Sequence, residues 1–143
     1  MPKDLVILCG GKGLRLKSLT KKFPKPLLKI NNIPFLDHLI NFYQKYNFNK
    51  IYLLAGYKGD QIKKLYDKKS FNFIDIEVII EKNEMGTGGS LLQLKNKINN
   101  DFILINGDSF VDYNFDKFNK LKKNFLGKIL MSSEKNYKEN KKL

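Results

Sequence analysis

Short apolar runs recur along the chain, separated by segments whose apolar residues fall at helical spacing. DLVILC (Asp4 to Cys9), IYLLA (Ile51 to Ala55), IDIEVII (Ile74 to Ile80) and FILIN (Phe102 to Asn106) read as buried strands, and KILMS (Lys128 to Ser132) predicts a last one. LLKI (Leu27 to Ile30) reads as a short extended piece closed by a turn at Asn31-Asn32. Between these runs the period changes. From Pro34 to about Tyr46, Phe35, Leu36, Leu39, Ile40 and Tyr43 share one face of a helix with Pro34 in its first turn. Gly59 to about Lys68 reads as a short amphipathic helix, Gly86 to about Ile98 as a helix with a glycine-rich first turn, and Phe115 to Lys123 as another. Strands alternating with helices predict an α/β fold: a three-layer, Rossmann-like arrangement of a mixed, mainly parallel sheet covered by helices.

Composition narrows the class without changing that picture. The 143 residues, 42% of them hydrophobic, suit one domain with a proper core. No apolar run approaches the ~18 residues of a membrane span, and the start MPKDLVILCGG has no basic leader, so a cytoplasmic protein without a membrane partner is expected. Cys9 is the only cysteine, which rules out an internal disulfide or a cysteine-based zinc site, and its apolar strand makes it a core thiol. His38 is the single histidine and reads as structural.

The net charge of +13 raises the question of nucleic acid. The charge is almost all lysine and is spread over the whole chain, and Arg15 is the only arginine, whereas phosphate-clamping and base-reading surfaces use several. No nucleic-acid partner is expected. An excess of lysine does favour a small polyanionic substrate.

Three polar, glycine-containing segments follow predicted strands: Gly10 to Arg15, Glu81 to Gly89, and Asn106 to Asp108. Ligands of open α/β sheets bind beyond the carboxyl ends of the strands, so their coincidence carries more than any one of them. In GGKGLRL, glycines let backbone N–H groups approach a phosphate, and Arg15 adds a planar fork suited to its oxygens. The stretch fits neither a Walker loop nor GxGxxG. In FPKPLL, Pro24 and Pro26 are expected to hold Lys25 in a stiff, extended backbone that fixes where its ammonium points. Asp108 places a carboxylate at a strand end, where it serves either a turn or a Mg²⁺ ion bridged to phosphates. Asp112 reads as a cap or a solvated residue.

Strand, then GGKGLRL, then SLTKKFPKPLLKI, resembles the signature of the sugar-phosphate nucleotidyltransferases, G-G-x-G-T-R-L followed about ten residues later by P-K-P. EKNEMGTGGS and LINGDSF follow in the family's order, so the resemblance covers essentially the whole chain, and the LCGG opening, GTGG and NGDSF resemble most the heptose-1-phosphate guanylyltransferase branch. The resemblance implies a GT-A-like domain that joins a nucleoside triphosphate to a sugar 1-phosphate with Mg²⁺ as cofactor. Cys9, Gly10, Gly11 and Gly13 would then lie at the nucleotide, Arg15 at the leaving pyrophosphate, Lys25 at the α-phosphate and Asp108 at the metal. Glu81, Gly86 and Thr87 would hold base and ribose; a carboxylate accepts from both N1–H and the exocyclic amine of guanine, which favours GTP. Leu14 departs from the family's Thr or Ser.

The family's second metal carboxylate and its sugar-phosphate lysine have no counterpart here, so residues 1–133 read as the N-terminal, nucleotide-binding part of such a domain and 134–143 as a lysine-rich tail or stump. An exposed apolar sheet edge, with self-association as a homo-oligomer, is expected in consequence. Other readings stay open: a thymidylyl-, uridylyl- or cytidylyltransferase of the same fold, or a non-catalytic nucleotide-binding homologue.

Overall fold

The computed structural model describes residues 4–16, 18–83, 85–115 and 126–130. Its centre is β1 (Asp4–Cys9), a run with Leu5, Val6 and Ile7 wholly buried. A strand apolar on both faces must be covered on both, and a parallel sheet between helix layers does this. β1 pairs in parallel with β4 (Lys50–Ala55) on one side and β7 (Phe102–Asn106) on the other. β4 pairs in parallel with β6 (Ile74–Ile80), and β5 (Ser70–Phe71) adds an antiparallel edge, giving the order β5-β6-β4-β1-β7.

Side-chain alternation divides the core into two layers. Leu5, Ile7 and Cys9 point to one side of the sheet and pack with Leu36, Leu39, Ile40 and Tyr43 of α1 (Phe35–Tyr43) and Ile62 and Tyr66 of α2 (Gly59–Tyr66). Val6 and Leu8 point to the other, with Tyr52, Leu54, Leu91 and Leu94, at and just beyond the end of α3 (Gly86–Leu92). His38 hydrogen-bonds through Nε2 with Ile30 O at 3.1 Å, in keeping with a structural role.

Several boundaries depart from the sequence reading. Of LLKI only Lys29–Ile30 is strand (β2), and it forms a small hairpin with β3 (Ile33–Pro34). Asn31 and Asn32 both adopt positive φ, 50° and 64°, as a two-residue turn matched to strand twist requires. Pro34, with ψ of 139°, therefore precedes the first helix and is not in its first turn; α1 ends at Tyr43 and tightens into a 3₁₀ turn over Gln44–Tyr46. Phe35 is half-buried. α2 stops at Tyr66 and α3 at Leu92, short of the expected Lys68 and Ile98, because each gives way to turns.

Lys128–Leu130 are not in a strand; Met131 and Ser132 lie outside the described residues, as does 116–123 of the helix expected from Phe115. The segment 134–143 lies outside them too. Among the described residues β7 is the sheet edge on its side, with Phe102 and Leu104 partly exposed, and no helix is long and apolar enough to cross a membrane.

Because Ile7 is sealed at the middle of the central strand, Ile7→Ala is expected to destabilise the fold by about 2–5 kcal/mol, against less than about 0.5 kcal/mol for Leu65→Ala on the exposed side of α2. Urea unfolding of both variants checks this, and similar costs at the two positions would contradict the assigned core.

Candidate functional site

The strand order reverses direction at β1. The chain moves from β1 to β4 and β6 on one side and returns to β7 on the other, so the loops leaving β1 and β7 diverge and open a crevice between them. Register fixes its depth. Cys9 lies opposite Ala55 and Leu8 opposite Asn106, which sets Gly56 level with Gly10 and Gly107 level with Cys9 at the carboxyl ends of three strands. The Gly107 N–H donates to Leu8 O at 2.8 Å and so extends the β1–β7 ladder to the lip of the crevice.

A cavity of about 850 Å³ opens there. All ten residues singled out from the sequence line it: Cys9, Gly10, Gly11, Gly13 and Arg15 from the first loop, Lys25, Glu81, Gly86 and Thr87, and Asp108. Lys12 and Asn106, inside two of the segments singled out but given no role, line it as well, and so does Ser90, which lies just beyond the other, Glu81 to Gly89. Ser90 stood at the end of GTGGS, but only the turn of α3 shows that its hydroxyl faces inward.

The first loop is held by one position. Gly13 adopts φ +62°, and a Cβ there would lie 2.9 Å from Thr20 Cγ2 and 3.4 Å from Lys25 Cβ, so only glycine fits. Its carbonyl accepts the Leu16 N–H at 2.9 Å and the Thr20 hydroxyl at 3.4 Å. Arg15 sits in the short 3₁₀ turn Leu14–Leu16 with its side chain exposed, and Leu14 is 77% exposed beside it.

Lys25 corrects one expectation. Pro24 is extended, with ψ of 151°, but Lys25 begins a 3₁₀ turn over Lys25–Leu27 and is not itself held extended. The Leu27 N–H donates to Pro24 O at 2.9 Å and the Leu28 N–H to Lys25 O at 3.1 Å, while Pro24, Pro26 and Leu27 are buried. The stiffness anticipated from the two prolines thus comes from a buried turn that leaves the lysine half-exposed at its start.

The Lys25 ammonium donates to Asp108 Oδ2 at 2.7 Å, joining the first loop to the end of β7 across 83 residues. That hydrogen bond holds the Asp108 carboxyl below the usual carboxylate range, against partial burial acting the other way, with the Ser109 hydroxyl donating to Oδ1 at 2.9 Å. Cys9 lies under this pair. Burial pushes its thiol well above the ordinary range, and the negative Asp108 pushes it the same way, so it stays protonated and is no nucleophile. With the whole residue 1% exposed, its sulfur is out of a ligand's reach.

Glu81 is anchored at the far wall. Its N–H donates to Ala55 O at 2.8 Å, and its Oε1 accepts the hydroxyl of buried Ser90, which also lies 2.7 Å from Gly86 O. A Cβ on Gly10 would sit 3.3 Å from Glu81 Oε1, so the carboxylate lies directly beside the glycine loop. The backbone-rich loop therefore runs from a fixed carboxylate beside Gly10 to a lysine beside Gly13 that is paired with a second carboxylate.

Residues 4–141 match the family described as Nucleotidyl transferase. D-glycero-alpha-D-manno-heptose 1-phosphate guanylyltransferase of Campylobacter jejuni is 39% identical over 112 residues, 78% of this chain and 50% of that protein. The bifunctional protein GlmU of Methanococcus maripaludis is 36% identical over 114 residues, 80% of this chain and 26% of that one. Among solved structures, HddC from Yersinia pseudotuberculosis complexed with GMP-PN superposes with a TM-score of 0.71 at 36% identity, over 81% of this chain and 52% of that chain. The chain spans about half the length of the guanylyltransferase and of HddC.

The Lys25–Asp108 pair has a direct signature. Asp108 has a depressed folded value, so its contribution to stability is full above the unfolded carboxyl value and is lost as pH falls through the folded one. Lys25→Met is expected to raise the Asp108 titration midpoint toward the ordinary value of about 3.9, read by carboxyl NMR. An unchanged midpoint would show that the two side chains do not pair in solution.

Proposed function

The chain belongs to the Nucleotidyl transferase family, and on that premise we propose that it binds a nucleoside triphosphate, GTP in preference, for transfer of the nucleotidyl group to a sugar 1-phosphate in nucleotide-sugar biosynthesis. The observation that carries this reading is the single cavity that gathers the glycine loop, Arg15, the Lys25–Asp108 pair and Glu81 at the carboxyl ends of the parallel strands. The preference for guanine rests on Glu81, whose carboxylate accepts two donors from a guanine edge, and on two similar proteins, a guanylyltransferase and a structure complexed with GMP-PN.

In this reaction an oxygen of the sugar phosphate attacks the α-phosphorus, a new P–O bond forms, and the bond to the departing pyrophosphate breaks with its electron pair. The attacking group is already an anion, so positioning and charge neutralisation matter more than a general base. The N–H groups of the Gly10–Gly13 stretch cradle the triphosphate. Arg15 neutralises the leaving pyrophosphate, and Lys25 binds the α-phosphate. Before substrate arrives Lys25 and Asp108 neutralise each other, so neither charge is left uncompensated at the cavity wall.

Asp108 suits Mg²⁺: it is a hard oxygen donor, half-exposed at a strand end and held ionised. Among the described residues no group of three or more His, Cys, Asp or Glu is gathered, and one or two carboxylates plus substrate phosphates is the usual Mg²⁺ environment. Bound there, the ion would neutralise developing charge on the phosphates. Glu81, fixed by Ser90, orients the base.

Equilibrium titration with GTP, UTP, dTTP and CTP, each with and without Mg²⁺, tests the reading. GTP is expected to bind most tightly and with Mg²⁺ assistance. Equal binding of all four, or of none, would overturn it. Asp108→Asn is expected to lose most of the Mg²⁺ dependence, and a variant that responds to Mg²⁺ like the parent would remove Asp108 from the metal site. Lys25→Ala is expected to keep stability within about 1 kcal/mol while weakening nucleotide binding roughly tenfold.

A further inference from the structure

The turn between β4 and α2 runs against the first loop at two places. Gly56 packs on Gly10 so closely that a Cβ on it would lie 2.9 Å from both Cα and O of Gly10, and the Tyr57 N–H donates to Gly10 O at 3.1 Å. Further along, three side chains donate to three consecutive carbonyls. The Tyr57 hydroxyl reaches Thr20 O at 3.2 Å, the Lys58 ammonium reaches Lys21 O at 2.5 Å and Lys22 O at 3.3 Å, and Gln61 Nε2 reaches Lys22 O at 3.0 Å. These carbonyls close the short 3₁₀ turn Leu19–Lys21, whose end has no continuing helix to satisfy them.

Two features set this clasp apart from ordinary surface bonding. Lys58 is left-handed, with φ 53° and ψ 34°, a conformation in which glycine or asparagine is less strained. Such strain persists where other interactions over-determine the residue, and the ammonium on two carbonyls is such an interaction. The clasp also connects mechanically to the cavity. The Thr20 hydroxyl donates to Gly13 O at 3.4 Å, and Thr20 Cγ2 and Lys25 Cβ flank the same space beside Gly13, so a shift of Thr20–Lys22 bears on Gly13 and on the room that Lys25 occupies.

We propose that Lys58, supported by Gln61, is a positioning residue that locks the Gly13–Thr20–Lys25 contact and so presents the lysine and the glycine loop to the nucleotide in one arrangement. The inference rests on the nucleotide reading of the cavity. Neither Lys58 nor Gln61 lines that cavity, so any effect on nucleotide passes through the loop.

Lys58→Gly separates capping from strain, because it deletes the ammonium while relaxing the left-handed backbone; Lys58→Arg keeps a donor. The full chain is to be measured for GTP·Mg²⁺ affinity, melting temperature and amide hydrogen exchange. Lys58→Gly is expected to melt no lower than the parent, to exchange the Leu27 and Leu28 amides faster, and to bind GTP roughly tenfold more weakly, with Lys58→Arg near the parent, since small misplacements of substrate-positioning groups cost up to about 10²-fold. Binding by Lys58→Gly equal to the parent's, or unchanged exchange at Leu27 and Leu28, would overturn the proposal. Absence of GTP binding by the parent itself would instead overturn the nucleotide reading, and the exchange comparison would still decide whether Lys58 holds the loop.

Discussion

The fold and the cavity both depend on the register of β1 between β4 and β7. Parallel pairing on both sides, with Cys9 opposite Ala55 and Leu8 opposite Asn106, makes three strands end within one residue of each other. A slip of one residue would turn Leu5 and Ile7 away from α1 and α2, exchanging the contents of the two core layers. The same slip would carry Gly10 away from Gly56 and Lys25 out of reach of Asp108. Burial thus fixes the alignment of the site residues, and the site contributes little of its own to holding that alignment.

At the crevice the chain trades side-chain bulk for backbone. Gly13 leaves room for Thr20 and Lys25, and Gly56 leaves room for Gly10, so the loop after β1 is packed from beneath while its outer face stays open. Charge is arranged by the same economy. Lys25 and Asp108 neutralise each other at 2.7 Å, while Glu77, midway along β6, is bracketed by Lys50 and Lys97 at 2.6 and 2.5 Å. Partial burial raises the Glu77 carboxyl, but the two lysines outweigh it and hold it low. Part of the large lysine excess is therefore consumed in structure.

The parallel core was legible because its signal is continuous hydrophobicity: DLVILC, IYLLA, IDIEVII and FILIN each became a strand within a residue of the expected limits. What was misread depends on local backbone choices that hydrophobic pattern does not encode. Pro34 precedes its helix because the Asn31-Asn32 turn makes a hairpin first. Lys25 lies in a 3₁₀ turn because Pro26 and Leu27 are buried beneath it. The lining residues were legible as a set because three polar, glycine-containing segments follow predicted strands, where ligands of open α/β sheets bind. Ser90 and Lys58 were not, because a hydroxyl pointing into a cavity and a left-handed lysine reaching over to another segment's carbonyls are visible only once the chain is folded.

The central claim is that three loops, brought level by the register of β1, form one polyphosphate- and base-binding surface. Mapping backbone amide chemical shifts on addition of GTP and Mg²⁺ tests it most directly. Perturbations are expected to concentrate at Gly10–Arg15, at Glu81 and Gly86–Ser90, and at Asn106–Ser109, with the Lys50–Glu77–Lys97 cluster unmoved. Perturbations centred on that cluster, or scattered over the lysine-rich surface, would contradict a shared nucleotide surface.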